Sequence, residues 1–299
     1  MTTGPDGILV VDKPEGPTSH DVVAVARRAL RTPRVGHTGT LDPMASGVLV
    51  LVLGRATRLA RYLTHDAKEY DAQVAFGRAT TTYDAQGATT METGRAPSRG
   101  EVEAELARYA CRQFQTPPPY SAKKVAGKVA HRAARQEAPL DLPPTPVTVH
   151  ALALRDFADG MATLSLRVSA GFYVRSLAHD LGVALGTGAH LAGLRRTAAG
   201  EFTLPHAVPL GDLAGRAAGL EPALIPIDRM LHDMPAVPVS EADADRIRHG
   251  QGLARQGLSV GAGPLRLLSP EGRLVAVAEV RAGAGPYPGP FLQPVVVVG

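Results

Sequence analysis

The sequence predicts an α+β fold with a small β-rich unit at its C-terminal end. Three observations lead there. Strand-like and helix-like stretches mix without a strict βαβ rhythm, which argues against a doubly wound parallel sheet. Apolar residues make up 44% of the 299, enough to bury a core in one large unit and a small one. After about residue 230 the pattern changes to short strands separated by Gly and Pro, so units spanning 1–230 and 231–299 are expected. No internal repeat interrupts this order.

"GILVV" (7–11) is a short apolar run stopped by the turn signal "DKPEGP", and predicts a strand. "TSHDVVAVARRALRT" predicts a helix: Thr18 or Ser19 caps it, Asp21 suits its positive end, and Val22, Val25, Ala26 and Leu30 share a face. A loop rich in Gly, Thr and Pro follows, then "VLVLVLG" as a buried strand and a short helix around "ATRLARYL". "KEYDAQVAFG" alternates, with Tyr70, Ala72, Val74 and Phe76 on one side. "RATTTYDAQG" predicts a polar loop, and Ser98 with Glu101 has capping-box spacing at the start of the next helix. The prolines of "QTPPPYSAKK" exclude a helix there. "PVTVHALALRDF" and "MATLSLRVS" predict a hairpin about "ADG". In "YVRSLAHDLGVALG", Val174, Leu177, Ala178, Leu181 and Leu185 form a helical stripe and Gly186 is the stop. Beyond 230, helical "SEADADRIRHG" precedes the strands "LRLLS", "RLVAVAEV" and "QPVVVV".

Charged residues are 20% and the net charge is +4, with a sequence pI of about 9.4. The balance is compatible with a nucleic-acid partner and equally with a mildly basic enzyme. Cys111 is the single cysteine, so a disulfide within the chain and a cysteine zinc site are excluded, and a reducing compartment is expected. No H-E-x-x-H spacing occurs. "MTTGPDGILVV" lacks a leader's basic and apolar regions, and no apolar run is long enough to span a bilayer. A cytoplasmic protein is expected.

The chemistry concentrates in "RVGHTGTLDPMASGVLVLVLG" (34–54), where one carboxylate, Asp42, stands among Gly36, Gly39, Pro43 and Gly47. Pro43 keeps Asp42 out of helical geometry, and the glycines permit tight turns and close approach of a ligand. A lone loop aspartate more often caps backbone amides; the density of special residues beside an apolar strand raises the catalytic alternative. The loop lacks the phosphate-cradle order G-x-x-x-x-G-K-[ST], "GTGAHL" lacks G-x-G-x-x-G, and no G-x-S-x-G elbow is present. A carboxylate with a cationic partner survives. Arg175 is the candidate: it lies in a first helical turn, where the helix dipole disfavours a cation, so an anionic neighbour is expected; a surface arginine is the plainer alternative. "KKVAGKVAHRAARQ" places Lys124, Lys128, Arg132 and Arg135 at i, i+4, i+8 and i+11, one helical face, either a phosphate-tracking stripe or a solvated one. Arg195 and Arg196 form a second basic group.

These stretches carry a resemblance. "GHTGTLDPMASGVL" resembles the signature of the TruB family of pseudouridine synthases, the bacterial tRNA pseudouridine-55 synthases. "GILVVDKPEGPTSHDVV", "KEYDAQVAFGRATTTYDAQG", "PPPYSAKKVAGKVAHRAAR", and "GFYVRSLAHDLG" with "AHLAGLRRTAAGEF" resemble the family's further segments in the same order, covering residues 7 to about 202. "GRLVAVAEV" and "LQPVVVV" are similar, more weakly, to the PUA-type RNA-binding module.

The resemblance implies a mixed, mainly antiparallel sheet of the pseudouridine synthase type, an RNA-binding insert at about 78–146, and a PUA-like unit. It implies isomerisation of the T-loop uridine of tRNA at position 55 after base flipping, by a monomer with no cofactor, no metal and no protein partner. It places the catalytic aspartate on Asp42, the active-site tyrosine on Tyr70 and the arginine on Arg175. His37 falls where a histidine takes the place of the flipped base, Leu194 on a pocket leucine, Lys13 on a lysine packed near the site, and Tyr173 beside the arginine. The stripe Lys124, Lys128, Arg132 and Arg135 becomes substrate-binding. Ala170, Phe172 and His131 depart from the family's usual Lys, Thr and Tyr. Three alternatives stay open: another RNA target, an RNA-folding protein without catalysis, and a two-carboxylate glycosidase drawing on Asp84 or Asp180.

Overall fold

The structure is a computed structural model. It describes residues 4–64, 66–109, 111–125, 127–136, 138, 140–215, 223–255, 257–261 and 263–298. Residues 1–3, which open the stretch without leader character, lie outside them.

In chain order the elements begin with β1 (Gly7–Lys13), α1 (Ser19–Ala29), β2 (Val35–His37) and β3 (Ala45–Leu53), then α2 (Ala60–Leu63) and β4 (Lys68–Phe76). The next segment carries β5 (Arg78–Thr80), β6 (Thr89–Glu92), α3 (Arg99–Leu106), β7 (Cys111–Gln115), β8 (Lys124–Val125), β9 (Lys128–Val129) and α4 (Ala130–Arg135). The long hairpin β10 (Thr145–Ala158) and β11 (Met161–Val168) leads to α5 (Val174–Ala184), β12 (Ala189–Ala199), β13 (Phe202–Thr203), β14 (Val208–Pro209), α6 (Leu210–Gly215) and β15 (Leu224–Pro226). The last stretch holds β16 (Ala236–Pro238), α7 (Glu241–Arg248), β17 (Leu253–Ala254), β18 (Pro264–Leu268), β19 (Leu274–Arg281) and β20 (Phe291–Val297).

The main sheet runs β14-β1-β3-β12-β4-β11-β10-β7, with β2, β13 and β15 added at β3, β12 and β1. Its pairings are antiparallel except β1 with β14 and β12 with β3. The C-terminal strands form a separate five-stranded sheet, β16-β18-β19-β20-β17. The α+β expectation therefore holds, with a mainly antiparallel sheet and a β-rich C-terminal part. Among the described residues no helix is long and apolar enough to cross a membrane.

Helix starts follow the sequence closely. Thr18, not Ser19, caps α1: its hydroxyl accepts from the Asp21 amide while the Asp21 carboxylate accepts from the Thr18 amide. Ser98 and Glu101 repeat that exchange at α3. Gly186, at φ 63°, ends α5.

The apolar run in β3 has a simple cause. Leu49, Leu51 and Leu53, with Leu9 and Val11 of β1, face a core that includes Val22 and Val23 of α1 and Leu177, Ala178 and Leu181 of α5. The alternate residues Val48, Val50 and Val52, with Ile8 and Val10, face a second core containing Leu59, Leu63, Leu274, Val277, Val296 and Val298. A strand buried on both faces shows no alternation in its sequence. The C-terminal sheet thus covers the back of the strands that carry the acid loop, and Arg55 and Arg58 tie the two by donating to the carbonyls of Val298 (2.6 Å) and Val297 (3.0 Å).

Gly47, where β3 leaves that loop, has φ 103°, and a Cβ there would lie 2.2 Å from the Arg196 carbonyl oxygen. Backbone on a paired strand cannot step aside. Gly47→Ala is expected to lose about 3 kcal/mol of stability or more in urea denaturation. Gly100→Ala, in α3 with nothing near its added methyl, should be neutral or slightly stabilising.

Candidate active site

Gly- and Pro-rich loops have no hydrogen-bond ladder of their own, so their buried backbone groups must find partners elsewhere. The loop carrying Asp42 finds them on side chains. Ser19 Oγ donates to the Leu41 carbonyl (2.9 Å) and accepts from the Leu41 amide (2.8 Å). Arg196, buried in β12, donates to the carbonyls of Val48 (2.7 Å), Gly39 (3.1 Å) and Thr40 (3.4 Å). Lys13, fully buried, donates to the carbonyls of Pro14 (2.9 Å) and Pro17 (3.0 Å), with Pro43 further off at 3.5 Å. The Gly16 amide donates to the Pro43 carbonyl at 2.8 Å. The perch under Asp42 is therefore fixed from β1, α1 and β12 at once.

Arg175 meets Asp42 as expected: its Nε lies 2.9 Å from Asp42 Oδ2. The rest of the guanidinium is also engaged. Nη1 donates to the Thr82 carbonyl (3.0 Å) and Nη2 to the Tyr120 carbonyl (2.9 Å). Asp84 Oδ2 stands 3.7 Å from Nη1, and Asp84 Oδ1 accepts from Thr82 Oγ1 (2.6 Å) and the Gln86 amide (3.0 Å). The side chains of Arg175 and Asp84 are 6% and 7% exposed, that of Asp42 33%. One buried cation thus joins two carboxylates, and only Asp42 opens to solvent. The second carboxylate and the carbonyls offset the unfavourable helix dipole at this position. Paired with Arg175 and buried, Asp84 has no open face toward a sugar, which argues against it as the second acid of a glycosidase.

Tyr173 precedes α5, and its backbone amide and carbonyl are both held by the Gln115 side chain (2.8 and 3.0 Å). Burial pushes its phenol up, and the Asp42 charge adds in the same direction. Leu194 of β12 is flanked in register by Ala45 of β3 and Ala72 of β4, three residues beyond Asp42 on the β3 side. Tyr70 of β4 is half-buried opposite Arg196. His37 ends β2 beside the loop, its ring edge-on to His20 with centroids 5.6 Å apart. Burial pushes the His37 imidazole down, with His20 and Arg196 acting the same way. Its Nδ1 is buried without a hydrogen-bond partner. Asp42, Arg175, Lys13 and Tyr173 are thus brought together; Leu194 and Tyr70 lie level with Ala45 and Gly47 at the start of β3, whereas His37 lies opposite Leu51, six residues further along that strand.

Two expectations need correction. Lys124, Lys128, Arg132 and Arg135 do not share a helical face. Val125, Gly127 (φ 79°) and Val129 favour a tight hairpin, so Lys124 and Lys128 lie in β8 and β9, paired Lys124 with Val129 and Val125 with Lys128. Lys124 and Lys128 therefore leave opposite faces of the ribbon. Only Arg132 and Arg135 are helical, three apart on α4, and both are exposed. Of the second basic group, Arg196 is spent on loop carbonyls, while Arg195 pairs with Asp12 at 2.8 Å. The stretch "RATTTYDAQG" is polar but not all loop, since β5 takes its first three residues, and Thr80 and Asp84 are buried.

Burial pushes the Lys13 ammonium down to about 8, against the pull of Asp42 and Glu15, and burial likewise pushes Lys68 to about 8. Unfolded, both titrate near 10.5. Between those values the unfolded chain holds more protons, so these lysines make stability rise with pH from about 8 to 10.5, and contribute no slope below 8. Unfolding at pH 9 should take up about one to two protons, read by calorimetry in two buffers of different ionisation enthalpy. No uptake would show both ammoniums titrating as in water.

Known proteins resemble this chain over most of its length. The family model described as TruB family pseudouridylate synthase (N terminal domain) matches residues 27–174, and that of the tRNA pseudouridylate synthase B C-terminal domain matches 175–232. A Solibacter usitatus protein named tRNA pseudouridine synthase B is 46% identical over 249 residues, 82% of this chain and 85% of the relative. The protein of the same name from Thermobifida fusca is 42% identical over 98% of both chains. A chain of the crystal structure of the archaeal box H/ACA sRNP Nop10-Cbf5 complex superposes with TM-score 0.73 at 25% identity, covering 98% of this chain and 86% of that one. Similarity of this extent, over a fold and a loop of this kind, means that the chain belongs to the TruB family of pseudouridylate synthases.

Proposed function

We propose that the chain is a tRNA pseudouridine synthase, converting the T-loop uridine at position 55 to pseudouridine with Asp42 at the reacting centre. The observation that carries this is the Asp42 carboxylate, partly open to solvent and fixed by buried Arg175 at 2.9 Å. The relatives' names supply the substrate class.

A uridine folded into a T loop must leave its stack to reach a pocket. Half-buried Tyr70 and the edge of buried Leu194 offer the flipped base a stacking surface, and His37 takes the position the base vacates. Asp42 then either attacks C1′ of the ribose or takes a proton from C2′. The N1–C1′ bond breaks, the uracil turns, and a C5–C1′ bond forms. C5 loses its proton to a base and N1 gains one, so the reaction is an isomerisation without net change in atoms. Arg175 aims the carboxylate before the RNA arrives, so little reorganisation is left to the reaction itself. Tyr173, beside Arg175, closes the pocket's α5 side, and Lys13 stiffens its floor.

Lys124, Lys128, Arg132 and Arg135 lie just beyond Tyr120, whose carbonyl holds Arg175. They contact phosphates of the T arm, from two faces of the ribbon and one of α4. The unit after residue 230, PUA-like, grips the RNA further along. The enzyme works as a monomer in the cytoplasm, without a protein partner, metal or cofactor.

Tritium release from a tRNA transcript labelled at C5 of uracil tests the centre. One tritium lost per tRNA is expected, and none with Asp42→Asn although it binds tRNA normally. Release by the variant would remove Asp42 from the reaction; tight binding without release by either protein would leave an RNA-folding protein.

The phosphate contacts are tested by replacing Lys124, Lys128, Arg132 and Arg135 singly with Ala. Each should weaken binding to any tRNA and reduce the slope of log affinity against log salt by about one. A residue whose loss leaves the slope unchanged touches no phosphate.

A further inference from the structure

The loop between β5 and β6 touches α5 at two successive points. At the first, the Thr82 carbonyl and the Asp84 carboxylate both face Arg175 Nη1. At the second, the ring of Tyr83 lies flat on the imidazole of His179, with centroids 3.8 Å apart and planes 7° from parallel. His179 follows Arg175 by four residues, one turn along the same face of the helix. The residue that stacks is thus the one between the two that hold the arginine.

The backbone at Tyr83 is unusual. Its φ is 64°, the left-handed region that a bulky side chain adopts only when its surroundings hold it. Part of that hold comes from β12: the Leu191 amide donates to the Tyr83 carbonyl (2.9 Å) and the Ala85 amide to the Leu191 carbonyl (3.0 Å). These bonds fix the loop to β12 but not its approach to α5. The ring stack supplies that second direction. The reversal at Tyr83 turns its ring toward His179 while Thr82 and Asp84 present oxygens to Arg175. Burial pushes the His179 imidazole down and the Tyr83 phenol up, so both rings stay neutral near pH 7.

We infer that Tyr83 and His179 are positioning residues for the reaction: their stack clamps the loop that holds Arg175, and through Arg175 it aims Asp42. The inference rests on the proposal that Asp42 and Arg175 form the reacting centre. Loss of the stack leaves both in place but loosens the carbonyl and carboxylate that fix the guanidinium. A misplacement of less than an ångström in a reacting group is enough to cost a large factor in rate.

The test uses the full chain and a labelled transcript, with turnover measured at saturating enzyme and tRNA affinity measured separately. Tyr83→Ala and His179→Ala should each slow turnover about tenfold or more while tRNA affinity stays within about twofold. Tyr83→Phe, which keeps the flat ring, should retain most of the rate. The double alanine variant should be no slower than the slower single one, because both remove the same contact. If Tyr83→Ala does not fold, Tyr83→Leu, which keeps the apolar cover without the flat face, carries the same expectation. Unchanged turnover in the alanine variants overturns the inference. So does a loss that appears in tRNA affinity, which would make the stack an RNA contact, or a Tyr83→Phe variant as slow as Tyr83→Ala. Arg175→Lys, run alongside, separates the two claims: full turnover there sinks the proposed centre itself. A slow Arg175→Lys beside a fully active Tyr83→Ala sinks only the positioning role.

Discussion

A single buried guanidinium is the constraint on which the site depends. Arg175 cannot lose its charge, and away from water that charge must be met by oxygens in fixed directions. It gathers four: carboxylates of Asp42 and Asp84, carbonyls of Thr82 and Tyr120. These come from three connecting segments, each far from α5 in sequence. None of those segments has regular structure at the contact, so the arginine does for them what a strand ladder does for a sheet. Removing one partner would leave an uncompensated buried charge, which costs far more than the pair contributes. The arrangement is therefore all-or-none, which suits a group that must hold one orientation.

Arg196 and Lys13 extend the same logic to backbone. Each meets carbonyls rather than carboxylates, and together with Ser19 they occupy the loop from Gly39 to Pro43 on its protein side. An unsatisfied buried carbonyl costs about 1–3 kcal/mol, so a loop of this composition could not sit against a core without such donors. The glycines divide accordingly. Gly47 is demanded by the protein, since the Arg196 backbone fills the space a side chain would need. Gly36 and Gly39 would meet neighbouring side chains only at ordinary contact distances, so the fold itself does not require them. Their smallness bears on what approaches from the open side.

What the sequence displays plainly are features with a local cause. The capping boxes at Thr18 and Ser98, the α5 stripe with its Gly186 stop, and the β10–β11 hairpin depend on neighbours in the chain. The pairing of Asp42 with Arg175 is only half legible: a cation in a first helical turn asks for an anion, but a surface arginine is the plainer reading of those residues, and the family resemblance is what singles out Arg175. Asp84 and Arg196 were hidden for the opposite reason. Their surroundings are ordinary for a polar loop and a basic strand end, and only the sheet order brings Arg196 against Gly39 and Asp84 against α5. The basic stripe misled through spacing: an i, i+4 pattern is shared by a helix and by a hairpin whose turn falls between the two residues, and Gly127 between two β-branched valines was the signal that decides.

The strands beneath the site explain why so open a carboxylate can be held so rigidly. β3 carries the loop, and both of its faces are buried, one by α1 and α5, the other by α2 and the C-terminal sheet. A strand with a solvent face can twist or shift toward that face; β3 has none. Its neighbour β12 is equally fixed, paired parallel to β3 and antiparallel to β4, and it supplies Arg196 to the loop. The C-terminal sheet thus contributes to the site without approaching it. By closing the second core against Val48, Val50 and Val52 it removes the one direction in which the base of the loop could yield.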